Sequence, residues 1–89
     1  MDYEWDAAKA AANLRKHKVD FADAVLALED PLASTVHDPD ASGEERYVSM
    51  GADPTGRLLV KIFTRRKKRI RIISSRRASP TERRYYEED

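Results

Sequence analysis

The chain contains no cysteine, which excludes a disulfide-stapled fold, a thiol nucleophile and a Cys-ligated zinc site. It has only two histidines, His17 and His37, too few for a multi-His metal centre. No apolar run approaches the ~20 residues of a membrane span. The acidic start, MDYEWD, lacks the basic and apolar regions of a signal peptide. The expectation is therefore a soluble, cytoplasmic protein with no membrane partner, no metal and no cofactor. Net charge is nearly absent as well, at +1, and taken alone that argues against a nucleic-acid binder.

The distribution of charge reverses that conclusion. Residues 1–45 carry 4 Lys/Arg against 11 Asp/Glu, whereas residues 46–89 carry 13 against 5. Charged residues make up 37% of the chain, well above the ~25% usual in globular domains. A basic surface on an acidic body points to an anionic partner. With 89 residues, residues 1–89 are expected to form one domain.

The elements follow from patterning. Tyr3-Glu4-Trp5 reads as a short strand, with Trp5 expected in the core, covering the helix that follows. Asp6 caps that helix, from Ala7 to about Lys16. Lys9, Asn13, Lys16 and His17 fall at i, i+4, i+7 and i+8 and share one helical face. Asp20 caps a second helix, in which Phe21, Ala24, Val25 and Leu28 form the apolar stripe. Asp30-Pro31 stops it near Glu29. Strands are predicted over 33–36, 45–50, 57–65 and 69–75, with a polar loop over 37–43. Arg66-Lys67-Lys68 is short enough for a hairpin turn but lacks the Gly or Asn such turns favour. A register centred on residues 67–68 sets Arg65 near Arg69 or Lys68 and Arg76 near Leu59. Ser79-Pro80-Thr81-Glu82 is a capping box that starts a last helix, Pro80 to about Glu87. The predicted order is β-α-α-β-β-β-β-α, an α+β domain: a small antiparallel sheet with helices packed on it.

Read in order, Tyr3-Glu4-Trp5-Asp6, Lys9, Asn13, Lys16-His17, Phe21, Asp30-Pro31, Glu45-Arg46, Gly56-Arg57-Leu58-Leu59-Val60, Thr64, Arg71-Ile72-Ile73-Ser74, Arg76-Arg77-Ala78, Glu82-Arg83 and Tyr86 resemble the BrnT family, toxins of type II toxin–antitoxin pairs. The resemblance spans essentially the whole chain. It implies a RelE-like ribonuclease fold, RNA cleavage that arrests translation, and neutralisation by a cognate BrnA-type antitoxin in a hetero-oligomer. Two positions depart from the family pattern. Lys18 stands where Gly usually follows Lys-His, and the last hairpin turns through Lys and Arg alone.

RNA cleavage without a metal needs a base for the 2′-hydroxyl, an acid for the leaving 5′-oxygen, and cations for the phosphorane. Arg suits phosphate because its planar fork donates two parallel hydrogen bonds. Arg76 and Arg65 are the candidate catalytic cations, able to converge across the sheet or through a bound phosphate; the bland alternative is two solvent-facing strand charges. His17 is the candidate proton shuttle, since histidine titrates near neutral pH. Its alternative is a terminal charge favoured by the helix dipole. Glu45, beside Arg46 at a strand start, is the candidate base, or else a surface carboxylate. Lys9, Asn13, Lys16, Arg66, Lys67, Lys68 and Arg77 are candidate RNA-binding residues, and Tyr86 a candidate base-stacking residue or a core tyrosine. His37, in an acidic loop, reads as an ordinary surface residue. An acidic antitoxin segment could occupy the same basic surface and neutralise by blocking it. A non-catalytic RNA- or DNA-binding module using that surface is the alternative function, and a pure protein-interaction subunit a third.

The basic turn gives a first test. Replacing Arg66, Lys67 and Lys68 together with Ser should weaken RNA binding equally across sequences. It should also lower the log–log salt slope by about 0.7 for each phosphate no longer neutralised. Thermal stability should hardly change, because exposed turn charges contribute little. Affinity measured from low to moderate salt checks this, and an unchanged slope returns the turn to a solvated loop.

Overall fold

A computed structural model describes residues 2–41 and 43–88. Ser42, within the predicted polar loop, lies outside the described residues. The elements run β1 (Asp2–Glu4), α1 (Ala7–His17), α2 (Phe21–Leu28), β2 (Ser34–His37), β3 (Tyr47–Ala52), β4 (Leu58–Arg66), β5 (Arg69–Arg77) and α3 (Pro80–Glu87).

The helix starts obey their caps. Asp6 accepts from the Lys9 amide at 2.9 Å, and Asp20 from the Ala22 amide at 3.0 Å. At α3 the capping box is complete, Ser79 and Glu82 each accepting from the other's backbone amide. Lys18 closes α1 in the left-handed region, with φ 60° and its amide donating to the Leu14 carbonyl. A glycine would take this conformation freely; a lysine there costs about 1 kcal/mol. The β4–β5 turn uses the same left-handed conformation, with Lys67 at φ 57°.

The sheet order is β1-β5-β4-β3-β2. Strands β2 to β5 form the predicted antiparallel meander, but β1 pairs parallel to β5, Tyr3 opposite Ile70. The sheet is therefore mixed, a correction to the all-antiparallel expectation. Alternation within three residues cannot report a partner nearly seventy residues away.

A second correction concerns register. Ile62 pairs with Ser74 and Phe63 with Ile72, which leaves Ile73 as an extra residue on β5, a β-bulge. Beyond it Arg76 faces Val60 and Arg77 faces Leu59, one position from the pairing that simple counting predicts.

One sheet face carries α1 and α2. Phe21 and Ala24 of α2 pack on Phe63, Ile70 and Ile72, while Val19, Ala27 and Leu59 form a second cluster. Gly51 admits this approach, since a Cβ there would meet the Ala27 carbonyl oxygen at 2.6 Å. Trp5 is not the core residue expected. It remains 38% exposed and meets Phe21 edge-on, with centroids 6.1 Å apart.

A polar row runs through this face: Ser49, Lys61 and Ser75 are neighbours across β3, β4 and β5, all fully buried. The Lys61 ammonium donates to the carbonyls of Leu59 (3.2 Å) and Ala27 (3.5 Å). Burial lowers its pKa to about 8, only partly opposed by Asp30.

That burial has a measurable consequence. Folded Lys61 releases its proton near pH 8 and unfolded lysine near 10.5. Between those values the unfolded chain holds the extra proton, so stability rises with pH. Urea unfolding should show a gain of about 1.5 kcal/mol from roughly pH 8 to pH 9.5. The Lys61→Met variant should lack this rise; an equal rise in the variant would assign it to other groups.

Candidate functional site

At the hairpin end of the sheet, on the helix-bearing side, four side chains gather around Tyr47. The ring stacks on Phe63 with centroids 5.4 Å apart and 19° between planes. The Arg65 guanidinium lies 5.2 Å from its centroid. His37, at the end of β2, meets it edge-on at 4.6 Å. The Tyr47 hydroxyl donates a long hydrogen bond, 3.4 Å, to the Glu45 carboxylate. Thr64, buried beside Arg65, donates to the Glu45 carbonyl at 2.6 Å and fastens that segment to β4. A carboxylate, an imidazole and a guanidinium thus share one aromatic support, and all three residues are solvent-exposed.

The adjoining turn adds charge. Arg66, Lys67, Lys68 and Arg69 are exposed and, with Asp2 and Glu4, line a 660 Å³ cleft. Arg66 pairs with Glu44 at 3.2 Å.

Other candidates lie elsewhere. Arg65 points to the helix side of β4, whereas Arg76 faces Val60 on the opposite side. Their rungs are five residues apart along β4, roughly 17 Å. They do not converge: that separation already keeps them apart, and the bulge at Ile73, by shifting Arg76 one position, also places it on the other face. Arg76 instead makes a bidentate pair with Glu82, at 2.8 and 2.9 Å. The Arg76 hydrogen bond outweighs burial and holds the Glu82 carboxyl near 2.

Asn13 is not an RNA-facing residue. It is buried, donating to the carbonyls of Val19 (3.1 Å) and Ser75 (2.8 Å) and accepting from the Ser75 amide (3.1 Å). The helical face it shares with His17 therefore turns toward β5, while Lys9 and Lys16 remain exposed. His17 ends α1 beside Lys18, whose carbonyl accepts from Arg57 at 3.4 Å. It sits by the start of β4, at the far end from Arg65. Arg77 is exposed there and shares a 160 Å³ cleft with Arg57 and Arg83.

Tyr86 is tied down as well. Its hydroxyl donates to the Asp30 carboxylate at 2.5 Å, which raises its pKa to about 12. Asp30 also accepts the amides of Ala52 and Leu32, which hold its carboxyl below the usual range. Tyr86 thus anchors α3 rather than offering a free ring for a base; Tyr85 is the exposed tyrosine.

Two members of the hairpin-end cluster, Tyr47 and His37, are absent from the candidates read from sequence. Tyr47 had a signal, since it stands two residues from Glu45 in an extended segment and must share its side. His37 had none, because its approach to Tyr47 depends on the β2–β3 pairing. Among the described residues no group of three or more Asp, Glu or His could hold a metal ion, and no helix is long and apolar enough to cross a membrane.

A basic corner that combines acid–base groups with phosphate-binding cations suits an enzyme acting on a polyanion, and the comparisons with known proteins name the class. Residues 5–82 match the model described as "Ribonuclease toxin, BrnT, of type II toxin-antitoxin system". The chain is thus a ribonuclease toxin of the type II class, for which an antitoxin partner and an RNA substrate are implied. It belongs to the BrnT family. It is similar to the crystal structure of the Brucella abortus ribonuclease toxin BrnT, at 28% identity and a TM-score of 0.66, over 89% of this chain and 97% of that one. Among curated proteins none matches.

The bond between Tyr86 and Asp30 is open to a direct test. Tyr86→Phe should lower stability by roughly 1.5–3 kcal/mol, the range for a hydrogen bond to a charged group. RNA affinity, measured well below the unfolding transition, should stay unchanged. Weakened affinity with full stability would make the Tyr86 hydroxyl an RNA contact. Tyr86→Ala, compared with Tyr86→Phe at matched fraction folded, tests the ring, and an additional loss of affinity there would reinstate base stacking.

Proposed function

We propose that this toxin is a metal-independent endoribonuclease, RelE-like in its sheet, that arrests translation by cutting RNA and is neutralised by a cognate BrnA-type antitoxin. The observation that supports the reading best is the shared support of Glu45, His37 and Arg65 on Tyr47. Glu45 removes the proton of a 2′-hydroxyl, and the resulting oxygen attacks the adjacent phosphorus. Arg65 donates to the non-bridging oxygens, whose charge grows in the phosphorane. His37, protonated, delivers its proton to the departing 5′-oxygen. The products are a 2′,3′-cyclic phosphate and a 5′-hydroxyl end. No step in this sequence calls on a metal.

The neighbouring cations grip the strand. Arg66, Lys67, Lys68 and Arg69 meet phosphates beside the scissile one, and Lys9 and Lys16 extend the positive field along α1. His17, by the start of β4, and Arg76, on the opposite face, have no part in the proton transfers.

Three measurements test the reading. Glu45→Gln and Arg65→Ala should each reduce cleavage by roughly 10²–10³-fold, and Glu45→Gln should leave RNA affinity nearly unaltered. Cleavage should persist in EDTA. The fragments should carry 5′-hydroxyl ends, which a polynucleotide kinase labels without prior phosphatase treatment. Activity abolished by chelation and restored by a divalent cation would overturn the mechanism. Tight RNA binding with no cleavage by the unaltered protein would favour a non-catalytic binding module.

A further inference from the structure

The sheet face opposite α1 and α2 has a different chemistry. There Val36, Val48, Met50 and Val60 line a 270 Å³ cleft closed on one side by Glu82 and Tyr85 of α3. A second, 130 Å³ cleft adjoins it, sharing Met50 and Tyr85 and adding Leu32. Leu32, Val36 and Tyr85 are 74%, 60% and 76% exposed, half of the exposed large hydrophobic side chains described. Contiguous exposed apolar surface of this kind marks a protein–protein interface. Neither cleft is lined by a lysine or arginine, so neither suits an RNA phosphate.

Two features say what the occupant carries. The first is the edge strand β2, exposed at all four residues and, among the described residues, bonded only to β3. Its outer edge offers backbone donors and acceptors to an added segment. The second is Arg76, which pairs across the ladder with Val60 at the cleft floor. Of its five N–H donors, three are used: Nη1 to Glu82 and to the Arg77 carbonyl, and Nη2 to Glu82. Nε–H and the second Nη2–H remain, among the described residues, and they form a planar fork matched to a carboxylate. Glu82 fixes the direction in which that fork points.

We propose that this face is the docking site of the antitoxin. A segment of that protein lays large apolar side chains over Val36, Met50 and Tyr85 and brings a carboxylate to the free fork of Arg76. The proposal rests on neutralisation by an antitoxin and is independent of the cleavage chemistry. It separates the two partners, with the antitoxin's anchor on the open face and RNA at the Glu45–Arg65 corner, so the basic turn is not the principal antitoxin-binding element.

The test uses the full-length toxin and its cognate antitoxin, with binding followed by calorimetry and cleavage assayed separately on toxin alone. Val36→Glu and Tyr85→Ser alter exposed side chains and should leave folding and cleavage unchanged. Each should weaken antitoxin binding at least roughly tenfold, as removal of an interface anchor does. Arg76→Gln should weaken it too, while the Arg66/Lys67/Lys68 triple Ser variant should bind nearly as tightly as the unaltered chain. The proposal is overturned if the first two variants bind normally, if the triple variant alone fails to bind the antitoxin, or if the unaltered toxin does not bind it. It is also overturned if light scattering shows the toxin alone to be a dimer that Val36→Glu dissociates, since a second copy would then be the occupant. Absence of cleavage by the unaltered toxin would remove the enzymatic reading and leave this one standing on the binding data.

Discussion

The bulge at Ile73 governs what each side of the sheet can do. β4 and β5 form the longest ladder, and most charged strand residues sit on it. Before the bulge Ile70 and Ile72 of β5 face the helices. After it Ser75 and Arg77 do so, and Arg76 turns to the open face. In a regular ladder Arg76 would share the side of Arg65. The inserted residue therefore puts Arg76 and Arg65, already several rungs apart, on opposite faces of the sheet.

The two faces then specialise. On the helix side the core is apolar toward the middle but crossed by Asn13, Lys61 and the buried serines. Asn13 ties α1 to both backbone groups of Ser75, and through Val19 to the start of α2. A buried amide with all these bonds made specifies one seating of the helix, because any other leaves polar groups without partners. Fixing α1 and α2 in turn settles Phe21 and Phe63, the ring on which Tyr47 stacks. The Glu45–Arg65 corner is thus held by packing that begins well away from it.

α3 is attached differently. It buries no residue and is held by Tyr86 on Asp30 and Glu82 on Arg76. Asp30 also receives the Ala52 amide, so the end of α2, the end of β3 and α3 meet at one carboxylate. Arg57 serves a similar purpose just before β4, bonded to Asp53, Asp23 and the Lys18 carbonyl. Burial raises the Asp53 pKa, but bonds from Thr55 and Arg57 outweigh it and hold the carboxyl below its ordinary value. Several acidic residues of this chain thus work as internal ties, while Lys67 and Lys68 of the turn stay exposed to a partner.

Sequence by itself determined the helices, their caps, the four-strand meander and the basic turn, because each depends on residues a few positions apart. Asp6, Asp20 and the Ser79–Glu82 box act within one turn of helix, and alternation in β4 is a property of that strand alone. It also named Glu45 and Arg65 as candidates, from residue type alone. Only the tertiary structure decided that β1 joins β5 in parallel, that Asn13 turns inward, that Tyr86 is held by Asp30, and that His37 rather than His17 meets Tyr47. The reason is common to all four: each depends on contacts between residues distant in sequence, set by strand pairing and by the seating of helices on the sheet, and neither is written in local spacing.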